Sequence, residues 1–112
     1  MNKIIVYEGT TEPLEDTLID STGAQVSLDS TYVMEFSVVK EESKTIIFYK
    51  SSTQVNQIAY DDPSHGHYQV FRTPEDTIGK AGNHVFTLKV TKNDTVFHVQ
   101  QGSFIIKGAN TP

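Results

Sequence analysis

Apolar residues in this chain recur with a period of two, and no segment of ten or more residues places them at helical spacing. Tyr32-Val33-Met34-Glu35-Phe36-Ser37-Val38-Val39-Lys40 is the clearest case. Successive side chains of a strand point to opposite faces, so Tyr32, Met34, Phe36 and Val38 share one face and Glu35 and Ser37 the other. His84-Val85-Phe86-Thr87-Leu88-Lys89-Val90-Thr91 repeats the pattern, with Phe86, Leu88 and Val90 inward and Thr87 and Lys89 outward. The chain reads as all-β.

Lys92-Asn93-Asp94 interrupts the second run, and Asn-Asp tolerates left-handed backbone, so Thr95 to Gln101 is expected to return as a hairpin arm. Gly102 is expected to end that arm, leaving Ser103 to Lys107 as a last strand. Earlier strand candidates are Lys3 to Tyr7, Leu14 to Ile19, Ala24 to Leu28, Thr45 to Lys50, Val55 to Tyr60 and His67 to Arg72. Turn signals separate them at Gly9-Thr10, Ser21-Thr22-Gly23, Glu41-Glu42-Ser43, Ser51-Ser52-Thr53 and Asp61-Asp62-Pro63-Ser64. About seven to nine short strands at this spacing predict a sandwich or barrel. Thr73-Pro74-Glu75-Asp76-Thr77 departs from the pattern: Thr73 suits a helix N-cap and Pro74 the first helical position. A single helical turn there fits a crossover between two sheets. One domain over 1–107 and a loose tail over 108–112 are expected.

A chain of 112 residues buries roughly two thirds of its unfolded surface on folding. It has no cysteine, so no disulfide or thiolate metal site is available and the sandwich rests on apolar packing. Met34, Phe36, Val38, Phe86, Leu88, Val90, Phe104 and Ile106 are the expected core. The amino-terminal apolar run, Ile4-Ile5-Val6-Tyr7, is too short for a signal-peptide core or a membrane span, which predicts a protein made in the cytoplasm without a signal peptide. Formal net charge is −5, and the nine Lys and Arg residues are scattered. Without a basic stripe to release counterions, neither nucleic acid nor an anionic membrane is an expected partner.

Ser64-His65-Gly66-His67 follows Asp61-Asp62, and two histidines in alternation can present metal ligands together. Pro63 and Gly66 make a solvated turn the stronger reading, so no metal and no cofactor are expected, with His84 and His98 only distant partners. The acidic pairs Glu15-Asp16, Glu41-Glu42, Asp61-Asp62 and Glu75-Asp76 carry no sign of the dry pocket that separates catalytic pKa values. No serine sits in a Gly-x-Ser-x-Gly elbow, and Gly79-Lys80-Ala81-Gly82 lacks phosphate-loop spacing. A non-catalytic protein is the expectation. Adjacent aromatics such as Phe48-Tyr49 cannot share one core, which makes Tyr49, Phe71 and Phe97 candidate contact residues.

Three blocks carry a family likeness. They are Leu14 to Leu28, of the form apolar strand then Asp-x-x-Gly-x-x-Val-x-Leu; Thr73 to Thr77 followed by Ala81 to Val90; and Gly102-Ser103-Phe104-Ile105-Ile106. Their order and spacing resemble the immunoglobulin-like domains of tailed-phage virion proteins, in particular the N-terminal domain of upper baseplate proteins, over about residues 12 to 107. The resemblance implies an immunoglobulin-like antiparallel β-sandwich. It also implies a structural protein of the virion (baseplate, tail, neck or head decoration) that binds other virion proteins or itself. A carbohydrate-binding or adhesive module is the alternative. Two departures stand out: His84 occupies a position usually aromatic, and baseplate proteins continue beyond the point where this chain ends, at Pro112.

Overall fold

A computed structural model describes residues 2–108 of the chain. Its elements are β1 (Lys3–Tyr7), β2 (Leu14–Thr17), β3 (Tyr32–Lys40), β4 (Ile46–Ser51), β5 (Ile58–Asp62), a 3-10 turn (Pro63–His65), β6 (His67–Val70), α1 (Pro74–Thr77), β7 (Gly82–Lys92) and β8 (Thr95–Lys107). They form a five-stranded sheet in the order β1-β8-β7-β3-β4 and a three-stranded sheet in the order β2-β6-β5.

In an immunoglobulin domain the G, F, C and C′ strands lie side by side and face B, E and D. β8-β7-β3-β4 and β2-β6-β5 reproduce that order, with β1 added parallel to β8. The chain is an immunoglobulin-like β-sandwich. Its core contains Met34, Phe36, Val38, Phe86, Leu88, Val90 and Phe104, all with no exposed surface, and Ile106 at 2%. Phe36 stacks on Phe86 with ring centroids 5.6 Å apart and meets Phe48 and Phe104 on its other sides. Antibody domains pin their sheets with a disulfide packed against tryptophan; this chain has neither cysteine nor tryptophan, and the rings pack its core instead.

His84 is buried on the inward face of β7, two residues before Phe86. Its Nε2 lies 2.8 Å from the carbonyl oxygen of Lys80. Immunoglobulin domains commonly put a tyrosine at this corner, bonded back to upstream backbone. Here an imidazole N–H makes the bond, so the exception noted in the sequence keeps the corner's geometry.

Four sequence expectations are corrected. Gly102 does not end a strand; β8 runs through it, because a residue without Cβ lets the backbone of Asn2 come close. Ala24–Leu28 is not a strand: only an isolated Ile19–Gln25 bridge forms, and Val26 and Leu28 reach the core from a loop. Val55 lies in a turn, 86% exposed, and β5 begins at Ile58. The strand expected to reach Arg72 ends at Val70; Arg72 is instead buried, its guanidinium donating to the carbonyls of Thr10 and Glu12 and so tying down the link between β1 and β2. The expected tail beyond Gly108 lies outside the described residues.

Candidate functional site

Two features of the sandwich surface combine defined geometry with side chains of functional type. The first is the edge of the large sheet. β1 pairs with β8 only from Ser103 to Lys107, whereas β7 pairs with β8 along its whole length. Thr95–Val99 therefore has a ladder on one side and, among the described residues, no strand on the other. Val96 and Val99 are each 53% exposed and Phe97 is 41% exposed. No charged residue or proline occurs from Thr95 to Ile106.

Val96 pairs with Thr91 and His98 with Val90, which leaves Phe97 as an extra residue on β8. Such a bulge bends the strand and re-aims a side chain. The Phe97 ring meets Tyr32 edge-on at 5.5 Å and borders a cavity of about 410 Å³ with Ile19, Asp20, Ser21 and His98. The open edge thus continues into a recess between the two sheets.

The second feature lies on the outer face of the small sheet. β2 and β6 pair Glu15 with Gln69 and Thr17 with His67, so these four side chains share the face opposite buried Tyr68. Between the Ala59–Gln69 and Asp62–His67 pairs, β5 spends two residues, Tyr60 and Asp61, where β6 spends one. Asp61 comes to lie 2.5 Å from Nδ1 of His67, and Glu15 Oε1 lies 4.0 Å from Nε2. The Gln69 amide donates to that same Glu15 oxygen at 2.8 Å.

The two histidines singled out in the sequence do not converge. His65 sits in the 3-10 turn and contacts Asp62 at 3.1 Å, a contact that holds the exposed Asp62 carboxyl below the usual carboxylate range. His67 belongs to β6 and gathers Asp61 and Glu15 instead. Glu15 is a ligand type that sequence spacing could not have joined to His67, since only strand pairing brings them together.

The three candidate contact aromatics are also dispersed. Tyr49 is on edge strand β4, its hydroxyl bonded to Glu35, and this bond raises the Tyr49 pKa. Phe97 is three strands away on β8, about 14 Å at ordinary strand spacing. Phe71 follows β6 and is half-buried. They form no shared ring platform.

A concavity of about 600 Å³ is lined by Leu28, Asp29, Tyr32, Ser52, Tyr60 and Pro63 among others. Asp29 is the one carboxylate in that lining, and bonds from the Thr31 hydroxyl and N–H hold its pKa below the usual value. No second carboxylate stands beside it in the lining to serve as a general acid or base.

No protein-family model matches the sequence, and no curated protein matches it. Among solved structures, murine CRIg is similar over 98% of this chain and 94% of that one, at 8% identity and a TM-score of 0.44. The fold assignment rests on the strand order rather than on that likeness.

Proposed function

We propose that this chain is a non-catalytic assembly module, a structural protein of a bacteriophage virion that docks on another virion protein through the open edge of β8. The observation that carries the docking surface is the unprotected stretch Thr95–Val99. Natural sheets usually guard such an edge with lysine, proline or a covering element. This one offers alternating backbone donors and acceptors flanked by exposed Val96, Phe97 and Val99. An extended segment can add there as an extra strand, with backbone bonds giving affinity and side-chain pockets giving selectivity. The recess beside Phe97 supplies one such pocket.

The virion context is supported by the three sequence blocks. In the folded chain the second block forms α1 and the β7 corner, and the third forms the end of β8 that holds β1.

Mass spectrometry of purified virions from the source phage tests the context, and absence of the chain from the particle overturns it. Val99→Lys tests the edge. This exposed substitution is expected to leave the fold intact by circular dichroism and to abolish incorporation. Normal incorporation of the variant moves the docking surface elsewhere.

A further inference from the structure

We propose that Glu15, Asp61 and His67 form a binding site for a zinc-class divalent cation on the outer face of the small sheet. Each residue comes from a different strand, β2, β5 and β6, and one ligand atom from each lies within 4.8 Å of the other two. One imidazole nitrogen with two carboxylate oxygens is a donor set that suits zinc and its neighbours. Three protein ligands leave a coordination position for water, in keeping with the exposure of Glu15 and Asp61.

Zinc–nitrogen and zinc–oxygen bonds of about 2.0–2.2 Å in a tetrahedral arrangement set donors roughly 3.4 Å apart. One ring nitrogen of His67 ligates the ion: with Nδ1 in that role, the Asp61 contact, at 2.5 Å, has to open by about 1 Å, and Glu15, whose Oε1 lies 4.0 Å from Nε2 on the same ring, has to swing toward Nδ1. Both carboxylates are exposed and can rotate without disturbing the core. The Gln69 amide, 2.8 Å from Glu15 Oε1, orients that ligand from behind. The extra residue in β5 falls beside Asp61, and bulges commonly re-aim side chains at sites of this kind.

Calcium is the wrong ion for the set, since it takes six to eight oxygen ligands. His65 and Asp62 supply only two groups and stand as a separate pair. A cation held by Glu15, Asp61 and His67 would join all three strands of the small sheet, in a chain without disulfides. It would therefore stabilise the folded state by mass action.

Isothermal titration of the chelator-treated full chain with zinc chloride is the test, paired with thermal unfolding in zinc, magnesium or calcium. One saturable zinc site is expected, with a rise in unfolding temperature that magnesium and calcium do not give. His67→Ala and Glu15→Ala should abolish both signals while circular dichroism stays unchanged. His65→Ala should keep them, and Gln69→Leu should weaken binding about tenfold. Unsaturable binding, a His67→Ala titration like that of the parent, loss of binding in His65→Ala, or an equal response to calcium would overturn the proposal.

Discussion

Gly102 of β8 stands directly opposite Phe86 of β7. A methyl group on Gly102 would lie 2.6 Å from a Phe86 ring carbon and 2.3 Å from the carbonyl oxygen of Asn2. Both distances are inside van der Waals contact, and the nearer atom is backbone. The missing Cβ lets Asn2 accept a hydrogen bond from the Ser103 N–H at 3.1 Å, which starts the β1–β8 ladder. Gly102→Ala should therefore lower stability by about 1–3 kcal/mol, as overpacking does. Urea denaturation measures it, and an unchanged midpoint would show that β1 can shift at no cost.

The Phe36–Phe86 stack is the centre of the core, with both rings fully buried. Truncating either to alanine removes the transfer energy of the ring and leaves a cavity between the sheets, a cost of about 3–5 kcal/mol. The two single losses should not add, because the rings touch and either truncation already removes their mutual contact. Denaturant titrations of Phe36→Ala, Phe86→Ala and the double variant check this. Additive losses would mean that the stack contributes nothing beyond separate burial.

Much of the sandwich is legible in the sequence because a sheet with one wet face writes a period of two. β3 and β7 show it throughout, each alternating buried positions with partly exposed ones. The Asn93-Asp94 turn is equally local: both residues take positive φ, 49° and 64°, as their side chains allow. Polar burial was not legible. Lys50 reaches Asp76 at 2.8 Å, Arg72 reaches the carbonyls of Thr10 and Glu12, and His84 reaches that of Lys80. The first two contacts join residues far apart in sequence, and a lysine or arginine with a partner looks the same in a sequence as one in water. The cluster around His67 was hidden for the same reason. Its carboxylates are selected by strand register and by one extra residue in β5, neither of which leaves a local signature.

Alkaline pH should destabilise the chain through Tyr68. Its side chain is 1% exposed, and burial, with a smaller contribution from the charge of Asp16, pushes its phenol well above the ordinary tyrosine value. An unfolded tyrosine loses its proton near pH 10. Above that pH the folded chain holds a proton that the unfolded chain has released, so unfolding is favoured as pH rises. The contribution of Tyr68 is thus fully present below about pH 10 and is lost as pH climbs from there toward the folded value. The limiting slope is about 1.4 kcal/mol per pH unit for one group. Tyr60, raised chiefly by burial, and Tyr49, raised by its bond to Glu35, act in the same direction. Urea titrations at pH 8, 10 and 11 should show the parent losing stability more steeply than Tyr68→Phe between the last two values, by up to about 1 kcal/mol. Parallel losses would mean that the Tyr68 hydroxyl reaches solvent in the folded protein and titrates there as it does in the unfolded chain.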